Sequence, residues 1–169
     1  MQDKVSLLIK EENIILKSME AYESEKYREL RNREDNRKYF FSDALILRED
    51  QEKWYQQYKL KNTDYMFSIY LKETNAYLGG IAIYNIDYEN KEAEVGRIIV
   101  DRFQAKGNGY GSEALKGIVS WGRKELGLVR FYASIYADNY ASIKTFANCG
   151  FKTYMSSESN SVIYMEKVW

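Results

Sequence analysis

The feature that most constrains the fold is a glycine-rich turn at residues 104–111, which reads QAKGNGYG and joins an apolar strand to a long helix. The strand is predicted over 93–100, and the helix from about Gly109 to Leu126, because its apolar residues recur at helical spacing. Glycines at alternate positions allow a tight turn that presents several backbone N–H groups in one direction, toward which the positive end of the helix dipole also points. The junction therefore suits a phosphate or pyrophosphate ligand, although a glycine-rich helix start without a ligand has the same pattern.

The rest of the chain alternates predicted strands with predicted helices. We expect strands at 14–19, 65–71, 76–86, 128–137, 151–155 and 162–168, and helices at about 22–31, 48–60 and 139–148. The three strands between 65 and 100 form a meander, and Asp87 to Asn90 supply the turn between the last two. Helices between strands predict an α/β fold, with a mixed (α+β) sheet covered on both faces. Because the chain has no proline, repeat or flexible linker, we expect residues 1–169 to form a single domain.

The amino-acid composition excludes several classes of active site. The 169 residues include no histidine, which removes Ser-His-Asp and Cys-His catalysis and histidine-based zinc sites. Cys149 is the only cysteine, so neither an internal disulfide nor a multi-cysteine metal site is expected, and we predict no bound metal. The 25 basic residues balance 25 acidic ones, which gives no basic surface for nucleic acid. No apolar run approaches a signal-peptide core or a membrane span, so we predict a cytoplasmic protein without a membrane partner.

The glycine-rich turn does not match the common nucleotide-binding motifs. The chain lacks the Walker pattern GxxxxGK[ST], and a Rossmann GxGxxG pattern would follow the first strand. Instead, the chain resembles the GNAT superfamily of acyl-CoA-dependent N-acetyltransferases. The residues that match its first signature, Q/R-x-x-G-x-G/A after a central strand, are Gln104, Gly107 and Gly109. Those that match its second motif, N-x-x-[SA] followed by G-F, are Asn139, Ser142, Gly150 and Phe151.

The resemblance covers about residues 14–168, with residues 1–13 as a lead-in. The opening strand at 14–17 and the Arg31-Asn32 pair resemble the branch that includes ribosomal-protein N-terminal acetyltransferases. Segments that resemble amino-sugar-nucleotide acetyltransferases lie at 30–39, 49–55 and 93–100. The family implies a GNAT-like fold, in which the central sheet is mostly antiparallel and splayed, with helices on both faces.

The resemblance also implies acetyl-CoA as the acyl donor and assigns its binding site. The backbone of Ile98, Ile99 and Val100 would pair with the pantetheine arm as an added strand, and a bulge at Gly96 would splay the sheet to admit it. Backbone amides of the turn would cradle the pyrophosphate. The residues assigned to the turn are Gln104, Ala105, Lys106, Gly107, Asn108, Gly109, Tyr110, Gly111 and Ser112. The side chains expected beside the pantetheine and thioester are Asn139, Ser142 and Phe146. A helix N-cap is the alternative for the asparagine, since asparagine favours that position without any ligand.

Acetyl transfer to an amine requires a proton acceptor for the amine, a stabiliser for the oxyanion and a proton donor for the leaving thiolate. Without histidine a carboxylate is the natural base. Glu94 is the candidate, because it begins the strand that leads to the turn and the resemblance places a glutamate there; an exposed acid at a strand edge is the alternative. A backbone N–H on the splayed strand would stabilise the oxyanion. Many family members carry a tyrosine at the position of Phe146, so the proton donor is assigned to Ser142 on the same helix face and, second, to Tyr140.

The acceptor site is predicted from charge. Arginines at the end of the first helix, with a further arginine on the central strand, suit bidentate recognition of a phosphate or carboxylate. The substrate-binding candidates are Arg31, Asn32, Arg37 and Arg97. A solvated, charged helix end is the favoured alternative for the first three. The aromatic residues for which we expect core packing in preference to a pocket wall are Tyr39, Phe40, Phe41 and Trp54.

The predicted function is therefore an N-acetyltransferase that moves an acetyl group from acetyl-CoA to a primary amine of a small molecule, such as an amino-sugar nucleotide, by direct attack. Two alternatives stay open: a ribosomal-protein-type N-terminal acetyltransferase, and a non-catalytic acyl-CoA-binding module without the family tyrosine. Cys149 is interpreted as a buried packing residue, because no nearby base would activate its thiol. A homodimer is compatible with the resemblance.

Overall fold

The computed structural model describes residues 4–105 and 107–169. Its strands are β1 (Leu8–Lys10), β2 (Ile14–Ser18), β3 (Tyr65–Leu71), β4 (Tyr77–Asp87), β5 (Glu92–Val100), β6 (Arg130–Tyr136), β7 (Lys152–Ser156) and β8 (Val162–Val168). Its helices are α1 (Ala21–Asn32), α2 (Glu34–Arg37), α3 (Arg48–Lys59), α4 (Arg102–Ala105), α5 (Tyr110–Leu126) and α6 (Tyr140–Asn148). Every strand and helix predicted from the sequence forms. Three further elements, β1, α2 and α4, are not predicted, because three or four residues are too few to show a periodic pattern.

The strands of the described chain join one sheet in the order β1-β2-β3-β4-β5-β6-β8-β7. Neighbouring strands are antiparallel, except that β5 and β6 are parallel. The β5–β6 pairing covers only Glu92 to Glu94, opposite Arg130 to Tyr132. Beyond it the two strands diverge and leave one edge of β5 open. These observations confirm the mixed α/β fold with the mostly antiparallel, splayed sheet that the resemblance implies.

Helices cover both faces of this sheet, as predicted. On one face, α5 packs its buried residues Leu115 and Ile118 into a core that includes Phe67 of β3. On the other face, Tyr27 of α1 and Tyr58 of α3 belong to a second core. Each face of the sheet therefore has its own apolar layer. None of the helices between residues 4 and 169, Lys106 aside, combines the length and the apolar character that crossing a membrane requires.

A β-bulge in β5 changes which side of the sheet its residues face. Ala93 and Val95 lie in the core beneath α5, whereas Ile99 lies in the core beneath α1, although strict alternation would place it with the other two. The reversal requires one extra residue. The pairing with β4 shows it: Gly96 and Ile99, three positions apart on β5, oppose residues that are only two positions apart on β4.

The extra residue lies in the Arg97-Ile98 pair, immediately after the glycine that the sequence analysis assigns to the bulge. Arg97, and not Gly96, adopts the left-handed backbone conformation, with φ of 52°. The prediction of a bulge on this strand is confirmed, but its placement at Gly96 is corrected by one residue. Glycine is the residue that adopts such backbone at least cost, which is why the sequence favours the wrong position.

Candidate functional site

The divergence of β5 from β6 opens a cleft with two cavities. The first, of about 290 Å³, extends along residues 98–100 to Gly111 at the start of α5, and we call it the helix-side groove. The second, of about 510 Å³, contains Glu94 and residues 96–98, and we call it the bulge-side pocket. The residues that border both cavities are Tyr39, Phe40, Ile98, Asn139 and Ser142. A molecule in the groove and a molecule in the pocket would therefore meet at one boundary.

The glycine-rich turn lies at the α5 end of the helix-side groove. Gly107 and Gly109 have φ of 80° and 73°, and a Cβ on either would meet no atom within 4 Å. Glycine is therefore favoured at both positions because the backbone is left-handed, and not because a side chain would collide with a neighbouring atom. The helix begins at Tyr110, and its first intrahelical bond joins Glu113 N to Gly109 O at 3.0 Å. The preceding amides of the first turn are thus available to an anion, together with the positive end of the dipole.

Gln104, which the signature assigns to this turn, does not line the groove. Its side-chain amide donates hydrogen bonds to Asp101 Oδ2 at 3.1 Å and to the carbonyl of Tyr77 at 3.4 Å. It therefore fixes α4 against the end of β5 instead of facing the groove. Ala105 is buried beneath the turn. Lys106 lies outside the described residues.

Asp101 connects α4 to the segment that joins α1 and α2. Its Oδ1 accepts a hydrogen bond from Arg33 Nη1 at 2.9 Å, and Arg33 also pairs with Asp35 of α2 at 2.9 Å. Partial burial opposes ionisation of Asp101, but the hydrogen bonds from Arg33 and Gln104 outweigh it and hold the pKa of Asp101 below its ordinary value. The carboxylate therefore stays charged and links the glycine-rich turn to α2.

The second motif places Asn139 and Ser142 at the boundary between groove and pocket. Asn139 is the N-cap of α6, and its side-chain oxygen accepts a hydrogen bond from the Ser142 amide at 3.2 Å. The cap interpretation is confirmed, and the same residue borders both cavities. Phe146 is 2% exposed, packs edge-on against Phe151 and closes the floor of the bulge-side pocket. Tyr140 is 76% exposed and borders neither cavity, so its assignment as second proton donor is corrected.

Glu94 lies in the wall of the bulge-side pocket and is not an isolated acid at a strand edge. Its Oε2 accepts a hydrogen bond from Asn85 Nδ2 at 3.0 Å, and Tyr84 lies directly opposite it on β4. The hydrogen bond orients the carboxylate while leaving it on the pocket surface.

Tyr84 is a pocket residue that sequence reasoning missed. It pairs directly opposite Glu94 in the β4–β5 ladder and reaches the pocket beside Gly96. Burial and the neighbouring charge of Glu94 raise the pKa of the Tyr84 phenol well above its ordinary value, so it stays protonated and can donate. Only the register between β4 and β5 identifies Tyr84 as the residue opposite Glu94, and that register depends on the turn at 87–91 and on the bulge.

Of the four acceptor-site candidates, the structure brings two into the pocket. Arg31 is only 6% exposed, which corrects the expectation of a solvated helix end, and Arg97 projects from the bulge. Asn32 instead makes two hydrogen bonds of 2.8 Å to the backbone of Ile46, so it anchors the segment before α3. Arg37 ends α2 and does not border the pocket. The substrate-binding assignments of Asn32 and Arg37 are therefore corrected.

Aromatic residues form the roof of the cleft. Tyr39, Phe40 and Phe41 border the bulge-side pocket. Phe40 also packs against the second core, as expected, whereas the expectation of core packing is corrected for Tyr39 and Phe41. Phe41 is 60% exposed, and its ring lies 4.8 Å from the ring of Tyr136 on β6, so segment 39–42 reaches across the cleft. Trp54 does pack between helix and sheet, stacked on Tyr58 at 5.3 Å.

Cys149 is a packing residue, as interpreted from the sequence. It is 5% exposed, and its thiol lies 3.4 Å from the carbonyl of Ser112 on α5. Burial raises its pKa, which disfavours the thiolate that a nucleophile needs. Its side chain faces away from the cleft, toward the layer between α5 and α6.

The chain has clear relatives among known proteins. A family model described as an acetyltransferase (GNAT) domain matches residues 13–152. The chain is 32% identical over 165 residues to an N-acetyltransferase 9-like protein from Caenorhabditis briggsae, in an alignment that covers 92% of this chain and 82% of that protein.

Solved structures share the fold. An apo ribosomal L7/L12 alpha-N-protein acetyltransferase matches with a TM-score of 0.83 at 17% identity, covering 98% of this chain and 96% of that one. A spermidine N-acetyltransferase from Vibrio cholerae, in complex with CoA and spermine, matches with a TM-score of 0.80 at 18% identity, covering 92% and 95%. At these identities the likeness shows a common fold.

Proposed function

The chain belongs to the GNAT acetyltransferase family and is an acyl-CoA-dependent N-acetyltransferase, and we propose that its acceptor is the primary amine of a small molecule. The observation that carries the proposal is the meeting of the two cavities at Ser142 and Asn139. One cavity leads to a helix start with unpaired backbone amides, and the other holds a carboxylate that is oriented by Asn85.

The helix-side groove fits acetyl-CoA. Its edge is the open backbone of Ile98 to Val100, and its far end is the first turn of α5, where the amides of Tyr110 to Ser112 have no intrahelical partner. Unpaired strand backbone suits the amide groups of a pantetheine arm, and free helix amides suit a pyrophosphate. Acetyl-CoA supplies the acetyl group as an activated thioester.

We assign proton removal from the acceptor amine to Glu94. The carboxylate lies on the pocket surface opposite Tyr84, and a hydrogen bond from Asn85 orients it. A positioned carboxylate can take a proton directly or through one water. The amine nitrogen then attacks as a neutral nucleophile. Backbone N–H groups of the bulged strand near Ile98 lie at the boundary where an oxyanion would form.

We assign the proton donor for the leaving sulfur to Ser142. Its hydroxyl borders both cavities, on the helix face that also bears Phe146. Since Phe146 has no hydroxyl and Tyr140 points to solvent, Ser142 is the hydroxyl of α6 that remains at this boundary. The Ser142 hydroxyl would take a proton from the attacking nitrogen as it gives its own proton to the departing sulfur, so that the hydroxyl is regenerated. Because a thiolate is a weak base, its departure requires no stronger acid.

The shape of the pocket favours a small acceptor, for example an amino sugar linked to a nucleotide. Segment 39–42 covers the pocket and contacts β6 through the Phe41–Tyr136 pair. A roofed pocket of about 510 Å³ is in the size range of small-molecule sites. A protein N-terminus would need an open groove across this roof.

The proposal is tested by thiol release from acetyl-CoA with a panel of acceptors. The panel contains nucleotide-linked amino sugars, free amino acids, polyamines, aminoglycosides and short peptides with free N-termini. Amine-dependent release with a small molecule and not with peptides is expected. Release with peptides alone would replace the proposal by N-terminal protein acetylation. Acetyl-CoA binding without release by any amine would favour a non-catalytic binding module.

A further inference from the structure

Resting on the proposed function, we propose that the acceptor amine also carries an oxyanion group, a carboxylate or a phosphate, which Arg31 and Arg97 bind in the bulge-side pocket. The two arginines come from different layers: Arg31 ends α1, and Arg97 forms the bulge of β5. Both border the pocket that contains Glu94. The inference extends the acetyl-transfer proposal, because it states which amines the pocket accepts.

Arg31 is buried with part of its hydrogen-bonding capacity unused. Its Nη2 donates to the carbonyl of Ser42, and its guanidinium carbon lies over the ring of Phe40, 3.7 Å from the centroid. Its Nη1 is buried and has no hydrogen-bond partner among the described residues. Since the residue is 94% removed from solvent, this donor is costly unless a ligand accepts from it. Burial also lowers the pKa of Arg31.

Arg97 also has a guanidinium nitrogen without a hydrogen-bond partner in the described chain. This nitrogen, Nη1, is buried, and its contact with Asp64 is a long 4.0 Å. The Asp64 oxygen nearest Arg97 is Oδ2, which also lies 3.8 Å from Lys61 Nζ, whereas Oδ1 accepts hydrogen bonds from Thr63 and from the amide of Asn85. The guanidinium lies 4.0 Å above the ring of Tyr84, which holds it in place beside the pocket. Two unpaired guanidinium donors at one pocket are best satisfied by a single oxyanion.

The charge of the pocket supports an anionic and not a cationic acceptor. The ionised residues that border it, among those described, are Arg31, Glu94 and Arg97. Glu94 is assigned to the reacting amine, and Asp64 behind Arg97 offsets part of that arginine's charge, so the two arginines leave a net positive charge for the rest of the acceptor. A polyamine would bring further positive charges against these guanidinium groups, and a neutral amine would leave both donors unpaired. This distinguishes the chain from the spermidine N-acetyltransferase that shares its fold.

Matched pairs of amines test the proposal. The pairs are glucosamine 6-phosphate with glucosamine, and alanine with alaninamide, with spermidine as a cationic comparison. Steady-state thiol release is measured, together with calorimetric binding of each amine to the protein saturated with CoA. The anionic member of at least one pair should show kcat/KM and affinity higher by roughly 10- to 100-fold, the range expected for a charged hydrogen-bonded contact. The pair that responds identifies the oxyanion as phosphate or carboxylate.

Variants then identify the residues. Arg97→Met removes a side chain that is about one-third exposed, and it should abolish the preference for the anionic amine. The ratio of the rates with the anionic and the neutral amine, measured together with acetyl-CoA affinity, separates this loss from a general defect of the variant. Arg31→Lys keeps the positive charge but loses the planar guanidinium group that can donate two parallel hydrogen bonds. It should therefore reduce the preference for the anionic amine only in part. Arg123→Met, on the exposed C-terminal turn of α5, is the control for loss of an arginine.

The outcomes separate this inference from the proposed function. Equal binding and turnover of anionic and neutral amines would overturn the inference and leave acetyl transfer intact. A uniform fall in rate with every amine in Arg97→Met would also overturn it, since that pattern indicates a contact to the reacting atoms. Tighter binding of the anionic amine, lost in Arg97→Met but without any thiol release, would support the inference and overturn the proposed acceptor chemistry.

Discussion

The hydroxyl of Tyr27 donates a hydrogen bond of 2.8 Å to the main-chain carbonyl of Arg97. The bulge frees this carbonyl from the ladder with β4, and the tyrosine of α1 satisfies it in a buried position. The contact links the helical layer to the one residue of β5 with left-handed backbone. Because the bulge also determines which residues of β5 face the cleft, Tyr27 acts on the site through backbone geometry.

Removing this hydroxyl should therefore affect both stability and the cleft. Tyr27→Phe leaves a buried carbonyl unsatisfied, which we expect to lower the free energy of unfolding by about 1–3 kcal/mol. Urea denaturation checks the loss, and acetyl-CoA affinity reports on the groove edge formed by Ile98 to Val100. Tyr58→Phe, which removes a buried hydroxyl of the second core that accepts from Met66, is the matched control. Equal effects of both variants on acetyl-CoA affinity would contradict a specific link between Tyr27 and the bulge.

Glu94→Gln should remove the base without changing the shape of the pocket. We expect kcat to fall by about 100- to 10,000-fold, the usual contribution of a positioned general base, while the Kd for acetyl-CoA stays the same. Glu92→Gln is the control two residues earlier on the same strand, because Glu92 pairs with Arg130 at 2.8 Å and does not border the cleft. A Glu94→Gln enzyme that retains its rate would exclude this carboxylate as the base.

Two hydroxyls of α6 can be compared directly. Ser142→Ala should lower kcat by roughly ten- to a hundredfold, a modest loss because a thiolate is a tolerable leaving group. Tyr140→Phe should leave kcat unchanged, because that side chain is exposed and outside both cavities. The measurement is single-turnover acetyl transfer, which isolates the chemical step. The reverse order of effects would restore Tyr140 as the proton donor.

The order of strands and helices follows from hydrophobic periodicity and turn residues, and the sequence predicts it almost completely. The bulge shows where that reasoning stops. A glycine at position 96 is the expected site of unusual backbone, but the strained residue is Arg97, held by the Tyr27 hydroxyl and by the ring of Tyr84. These contacts join residues that are far apart in the chain, so no local pattern reveals them.

Arg31 illustrates the same limit for the site. The run RELRNREDNRK around it is strongly charged and is typical of a solvated helix end. The residue is buried because the following segment folds back and places Phe40 and the carbonyl of Ser42 against its guanidinium. Of the three residues predicted at this helix end, tertiary folding brings Arg31 to the pocket and leaves Asn32 and Arg37 outside it.

Asp101 should make stability depend on pH in the acid range. Its folded-state pKa is held below the ordinary value of 3.8 by Arg33 and Gln104, so its stabilisation is complete above that value and is lost as the pH falls through the folded-state pKa. Asp101→Asn should cost about 1 kcal/mol at neutral pH and progressively less below about pH 4. Urea unfolding of both proteins across this range checks the sign. If the difference in unfolding free energy between the two proteins stays constant as the pH falls below about 4, the ion pair of Asp101 with Arg33 is not the source of that difference.

The two glycines that cap α5 separate backbone strain from ligand binding. Gly109 precedes the helix with φ of 73° and Gly127 follows it with φ of 67°, and a Cβ at either would meet open space. Substitution by alanine should therefore destabilise the fold similarly at both ends, by about 1–2 kcal/mol, since each forces an L-residue into left-handed backbone.

Only one of these ends faces the helix-side groove. Gly109→Ala should weaken acetyl-CoA binding by about tenfold, because a shifted first turn misaligns the amides that would hold the pyrophosphate. Gly127→Ala should bind acetyl-CoA as the unmodified protein does. Thermal unfolding measures how much stability each variant loses. Calorimetry measures the affinity of each variant for acetyl-CoA and for pantetheine, which lacks the pyrophosphate. Equal affinities of both variants for acetyl-CoA would show that the glycine-rich turn is a helix start without a bound anion.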